Sequence, residues 1–337
     1  MKKYFIVTTF LVCVLAKFNM VAAQQTNLYS LHKTISLPGD GGYDYLFIDQ
    51  QNRRLYVSHG TSVQVINVDN ETLVGTIEGM QCNHGIAIAP AAGKGFISDG
   101  KANAVVVFDI KTLKIISTIP LKGKKPDAII YDAFSNKIFA FNGGSGNASV
   151  IDVDALKETG IIELGGGPEF AVADGHGKIY NNIEDKNMLK VIDSKLLQII
   201  NSYPLSPCGG PTGLALDAAN NRLFTACREN KGMSVIDIAT GKIITTLPIG
   251  AGVDAVAYDA ATKLIFCSNG DATTTIIKQQ NADTYSVVQT LATQTRAKTM
   301  ALDTITHKIY LSVVDFEPGT KKPVQGSFKV LIYKMDK

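Results

Sequence analysis

The chain has 337 residues, a formal net charge of +3 and 19% charged residues, with no block of like charge. That basic balance is too weak and too dispersed to imply a nucleic acid or an anionic membrane as partner. No apolar stretch beyond the N-terminus approaches the length of a membrane span, so no transmembrane segment is expected in the mature chain.

The N-terminus reads as an export signal. Lys2 and Lys3 precede an apolar run from Phe5 to Ala16, broken only by Thr8 and Thr9. Val21-Ala22-Ala23 then offers small residues at the −3 and −1 positions of a cleavage site. Residues 1–23 are therefore expected to be a signal peptide, and 24–337 a single domain located in the periplasm, at the cell surface or secreted. Cys13 invites a lipoprotein reading, but Phe10-Leu11-Val12 lacks the small residue that normally precedes a lipidated cysteine.

From there to the C-terminus the chain repeats itself. Gly213-Leu-Ala-Leu-Asp217, Asn221-Arg-Leu-Phe224, Ser234-Val-Ile-Asp237 and Gly241-Lys-Ile-Ile-Thr-Thr-Leu247 are four short β-type runs separated by turn residues. The pattern returns at Ala128–Asp152 and at Ile86–Ile119, with further copies starting near Tyr45, Phe170, Ala255 and Thr299. Seven copies, spaced by roughly 42 residues, match the length of a four-stranded propeller blade. The last copy supplies strands at Thr299–Leu302, Lys308–Val313 and Phe328–Tyr333 and then stops. His32-Lys-Thr-Ile-Ser-Leu37 resembles the fourth strand Lys242–Leu247, so a strand at about 31–37 is expected to complete the last blade and close the ring. The predicted fold is an all-β, seven-bladed β-propeller.

These residues also carry a family resemblance. Leu55-Tyr-Val-Ser-His59 with Val63-Gln-Val-Ile66, followed in another copy by Gly241-Lys-Ile-Ile-Thr-Thr-Leu247, resembles the YVTN-repeat, YncE-like propellers of the bacterial periplasm and cell surface. Ser268-Asn-Gly-Asp271, Pro168–Asp174 and Ala297–Asp303 look particularly like that group. The resemblance covers essentially the whole mature chain. It implies the fold and an extracytoplasmic location, and very little about activity, since most members have none assigned.

Functional residues are expected where the first strand of each blade begins, at one mouth of the central axis. Aligning the copies places Asp44, His84, Asp127, Glu169, Thr212, Asp254 and Lys298 at one equivalent position. Second-strand ends return to the same mouth and add His59, Asp99, Asn142, Asn182, Arg228 and Asn269, with Arg296 just outside the ring. One reading makes these groups caps and channel-lining polar residues. The other takes the carboxylates Asp44, Asp127, Glu169 and Asp254 as a repelling set that invites a hard cation such as Ca²⁺, with His84 as a base. His32, His176 and His307 fall on the closing strand or in turns, away from the mouth.

Four cysteines follow the signal, with no metal-ligand spacing among them. Cys208 precedes the first strand of its blade and Cys227 ends the second, so antiparallel pairing makes them the disulfide candidate. The long connection Val314–Ser327 is expected at the same mouth as a lid or surface loop. No nucleophile elbow, phosphate loop or dinucleotide signature is present. A quinone cofactor would want Trp and adjacent cysteines, and the chain has neither. The expected function is therefore that of a monomeric binding or scaffold protein for a small molecule, cation or peptide. A metal-dependent lactonase- or lyase-like enzyme and a protein–protein interaction propeller are the alternatives.

Overall fold

In every repeat the second strand carries an aromatic ring at one equivalent position: Tyr56, Phe96, Phe139, Tyr180, Phe224, Phe266 and Tyr310. All seven are at most 1% exposed. Strand alternation sends each ring to one face of its blade and the flanking aliphatic residues to the other. In the first blade, Tyr56 packs toward Ile86, Ile97 and Phe108 of the second blade. Leu55 and Val57 pack toward Ala301, Tyr310 and Val330 of the last. A blade that is apolar on both faces is stable only between two neighbours, and that requirement bends the array into a ring. Each buried ring contributes about 2–3 kcal/mol of hydrophobic stabilisation.

The computed structural model describes Met1 and residues 28–39, 41–320 and 322–336. The expected signal peptide lies almost wholly outside the described residues. The rest forms seven four-stranded antiparallel sheets, a seven-bladed β-propeller. The innermost strands are Tyr43–Asp49, Asn83–Ala89, Pro126–Asp132, Pro168–Ala173, Pro211–Asp217, Ala255–Asp259 and Met300–Asp303. No helix among the described residues is long and apolar enough to cross a membrane.

Six blades are simple four-strand meanders, and the seventh is completed by the N-terminal strand. That strand runs from Tyr29 to Ser36, beginning slightly earlier than the sequence pattern suggested, and pairs antiparallel with Lys329–Met335. Tyr29 is fully buried, and its hydroxyl donates to the carbonyl of His307 at 2.7 Å. Gln289, on the neighbouring blade, accepts from the Tyr29 N–H and donates to the Tyr29 carbonyl, both at 2.8 Å.

Four of the turns between first and second strands share one device. An aspartate ends the first strand and accepts from backbone N–H groups two or three residues on: Asp49 from Gln51 and Asn52, Asp132 from Ser135, Asp259 from Ala261, Asp303 from Ile305. The side chain holds the turn while the residue before the second strand takes a left-handed conformation, as at Arg53, Asn136, Lys263 and His307.

Candidate functional site

The ring position has a structural cause. In five blades the pairing of first and second strands slips by one residue, between Tyr43 and Leu46, Asn83 and Ile86, Pro126 and Ile129, Pro168 and Ala171, and Pro211 and Leu214. Each slip is a β-bulge, and it falls on Asp44, His84, Asp127, Glu169 and Thr212. A bulge leaves one residue unpaired and re-aims its side chain. Here it turns Asp44, His84, Asp127 and Glu169 toward the mouth and leaves Thr212 buried, while the following Tyr45 and Phe170 face the central cavity.

Second-strand side chains satisfy the backbone groups that the bulges leave over. Ser58 donates to the Asn83 carbonyl at 3.1 Å, and Asn181 to that of Glu169 at 2.8 Å. Asn182 donates to the Thr212 carbonyl and to Thr225 Oγ1, both at 2.8 Å. The repeat alignment therefore needs correcting in the fourth and fifth blades. Register places Ile183 opposite Pro168 and Cys227 opposite Pro211, where His59 stands opposite Tyr43 and Asp99 opposite Asn83. Asn182 thus lies one residue short of the strand end and Arg228 one beyond, and one residue exchanges the two faces of a strand.

Of the remaining second-strand group, Asn142 is buried and donates to Asn147 Oδ1 and Ser149 Oγ at 3.0 and 2.9 Å. Asn269 is buried against Thr273 and Thr275. Asp99 accepts from the N–H groups of Gln81 and Cys82 at 2.7 and 2.9 Å, fixing the approach to His84. Thr212 is buried, its hydroxyl 3.4 Å from the Val253 carbonyl. These residues shape the mouth more than they face it. His59 lies at the rim, stacked on Phe328 at 3.7 Å, beneath the 314–327 connection. Arg296 places its guanidinium over the Phe316 ring of that connection at 4.5 Å.

The ring itself sorts into two halves. On one side His84 Nδ1 lies 2.6 Å from Asp44 Oδ2 and 3.7 Å from Asp127 Oδ1, and its Nε2 lies 3.7 Å from Cys82 Sγ. On the other, Asp254 is clasped by both Arg228 and Lys298, and Arg228 also reaches Glu184 Oε1 at 2.6 Å. Of the four carboxylates expected to hold Ca²⁺, Asp44 and Asp127 flank His84 and Asp254 is paired with two cations. The carboxyl group of Glu169 forms no hydrogen bond among the described residues.

Electrostatics follow from that sorting. Burial, reinforced by Glu184, Asp127 and Asp254 and only partly offset by Arg228, pushes the Glu169 carboxyl up to about 9. It is a neutral, proton-donating acid at neutral pH. Burial and the Asp44 charge raise Asp127 to about 6, with His84 opposing. For His84, burial disfavours the imidazolium, but the Asp44 hydrogen bond and the Asp127 field outweigh it and raise the pKa. Burial opposes the Lys298 ammonium too, yet Asp254 holds it charged.

Below the ring, Tyr45 and Phe170 meet across the axis with centroids 4.8 Å apart. Beyond them a cavity of about 590 Å³ continues toward the opposite face, lined by residues such as Phe47, Ile88, Ile130 and Leu216 and by none of the ring residues. The mouth is thus a charged bowl with an aromatic floor. A recess of about 490 Å³ opens from it beside Cys82, His84, Lys101, Lys125 and Asp127.

Cys208 and Cys227 are bonded, with Cα atoms 5.0 Å apart, and pin the loop that leads into Thr212. Glu184, Cys82 and Tyr45 belong to the mouth and were not singled out from sequence. Glu184 carried a signal: it follows the second-strand end of its blade as Arg228 follows that of the next, where the first three blades have Gly60, Gly100 and Gly143.

No family model matches the chain. Antigen Lp49 of Leptospira interrogans serogroup Icterohaemorrhagiae serovar copenhageni (strain Fiocruz L1-130) is 23% identical over 181 residues. That match covers 51% of this chain and 39% of Lp49, so it spans about two fifths of the relative's length. A chain in a crystal structure of the mitotic checkpoint complex is similar over 99% of both chains, with a TM-score of 0.74 and 13% identity. At that identity the likeness shows the propeller fold alone.

Proposed function

We propose that this protein is an exported binding protein of the YVTN-repeat, YncE-like type that takes a small polar ligand in its charged axial mouth. The observation that carries this is the carboxyl of Glu169, raised to about 9 and without a hydrogen-bond partner among the described residues, in a bowl where Asp254 is already paired with Arg228 and Lys298. A neutral acid in that position donates to an acceptor on a ligand, while the Asp127 carboxylate accepts from a donor on it. Tyr45 and Phe170 form the aromatic floor of the bowl.

Export is supported by the N-terminal sequence pattern and by the Cys208–Cys227 bond, since disulfides persist in oxidising compartments. Binding is favoured over metal-dependent hydrolysis because Asp254 is committed to Arg228 and Lys298, and Glu169 is held neutral.

The test is a thermal-unfolding screen of the mature protein against polar metabolite classes, run in parallel on Glu169→Gln. The reading expects compounds that raise the wild-type Tm in a concentration-dependent way and do so less for the variant. If every such compound shifts both proteins equally, the mouth is not the site.

A further inference from the structure

Building on the mouth as a binding site, we infer that Asp44, His84 and Asp127 form a site for one divalent transition-metal ion of the Zn²⁺ class. One ligand atom from each residue lies within 4.8 Å of the other two. The donors are His84 Nδ1, Asp44 Oδ2 at 2.6 Å from it and Asp127 Oδ1 at 3.7 Å. Ligands about 2.0–2.2 Å from a tetrahedral zinc stand roughly 3.3–3.5 Å from one another. The first separation must therefore open by about 0.7–0.9 Å and the second close by about 0.2–0.4 Å, with the two carboxylate oxygens within 4.8 Å of each other.

Two further observations single out this trio from the other charged groups of the mouth. The Asp127 side chain is 38% exposed, but its Oδ1 is shut off from solvent and has no hydrogen bond, although it points at the His84 ring. A buried acceptor without a donor is uncommon, and a bound ion accounts for it. The imidazole is also held in the orientation that a metal needs. Gly100 packs against its far edge so closely that a Cβ there would stand 2.8 Å from Nε2. Cys82 Sγ lies 3.7 Å from the same nitrogen. The Nε2 edge is thereby occupied by the protein, and Nδ1 is left facing the two carboxylates. Metal-binding histidines are fixed through their second nitrogen in this way.

The donor set decides the class of ion. Calcium seeks six to eight oxygen ligands, and this site offers two carboxylates and one nitrogen. An imidazole nitrogen with two carboxylate oxygens suits zinc and its neighbours, with the remaining coordination position open toward the mouth. Of the cations around the mouth, Arg228 is held by Asp254 and Glu184 and Lys298 by Asp254, while Lys101 and Lys125 line the recess beside the site. In this arrangement Cys82 is a positioning residue, and Glu169 takes no part in holding the ion.

Untagged mature protein, stripped with EDTA, is titrated with Zn²⁺ against a chromogenic chelator, with Ca²⁺ in parallel and Co²⁺ as the spectroscopic probe. One equivalent of Zn²⁺ is expected to bind, with Ca²⁺ at least tenfold weaker. Asp127→Asn and His84→Gln should each weaken Zn²⁺ by at least tenfold while retaining the wild-type far-UV spectrum. Should His84→Gln fail to fold, Asp127→Asn decides alone. Cys82→Ser and Glu169→Gln should retain the stoichiometry, and the Co²⁺ spectrum should lack a thiolate charge-transfer band. Absence of Zn²⁺ binding, equal binding by Asp127→Asn, loss only in Cys82→Ser, or preference for Ca²⁺ would each overturn the site. Failure of Zn²⁺ to bind while polar ligands still shift the Tm would remove the ion and leave the mouth reading intact. Loss of both would remove both.

Discussion

Arg53 of the first blade and Asp303 of the last face each other across the seam where the ring closes, in a two-pronged contact of 2.8 and 2.6 Å. Asp303 also accepts from the Ile305 N–H and the Thr306 hydroxyl. Burial opposes its charge, but these partners, Arg53 foremost, hold its pKa down to about 2. Because the folded pKa is depressed, the contribution is complete above the ordinary carboxyl range near pH 4. It fades as pH falls through that range toward 2. Asp303→Asn is expected to cost about 2 kcal/mol at pH 7, the scale of charge-assisted hydrogen bonds. The cost should shrink in urea melts below pH 4. A cost that is constant with pH would contradict the assignment.

Glu169 has the opposite sign. Its folded pKa is raised to about 9, so its contribution is complete below the ordinary range near pH 4 and declines as pH climbs toward 9. Glu169→Gln removes that decline. The variant's Tm should gain steadily on the wild type between pH 5 and 9. A carboxyl ¹³C titration would see Glu169 ionise last among the glutamates. Parallel Tm profiles would show that the group ionises normally.

Closure of the ring rests on a side chain from outside the closing blade. Gln289→Ala leaves the Tyr29 N–H and carbonyl without their partners in a buried position. The expected cost is about 2 kcal/mol, with amide exchange at 29–36 accelerating before the other blades respond. Uniform acceleration would mean that the N-terminal strand is not the first element to part.

Reduction of the Cys208–Cys227 bond, which spans 19 residues, should lower stability by about 3 kcal/mol through the entropy of the unfolded chain. The Cys208→Ala/Cys227→Ala pair should show the same loss and no further response to reductant. A double variant as stable as the oxidised protein would contradict it.

The fold was legible because the sequence repeats. Seven copies with one strand missing at the end and one extra at the start leave a single closure, and the second-strand aromatics from Tyr56 to Tyr310 recur every 40–44 residues. The ring position was legible too, and its order already makes Asp44, His84 and Asp127 consecutive neighbours. What the repeats did not show lies off the repeat. Glu184 and Arg228 stand in turns where the first three blades have glycine, and their ion pair draws Asp254 away from the other carboxylates. The one-residue slip at Asn182 arose because short strands of alternating residues align almost equally well in two registers, and only backbone pairing separates them. The bulges under Asp44 to Thr212 are likewise a property of pairing, although three of the five follow a proline, Pro126, Pro168 and Pro211.

Amide hydrogen exchange, with and without the strongest polar binder from the thermal screen, tests the mouth most directly. Protection is predicted around Gln81–His84, Lys124–Asp127, Gly167–Glu169 and Val253–Asp254, with the turns at Gln50–Arg53, Ser135–Asn136 and Thr304–His307 on the opposite face unchanged. Protection confined to that opposite face, or to the outer strands, would contradict an axial-mouth binding protein.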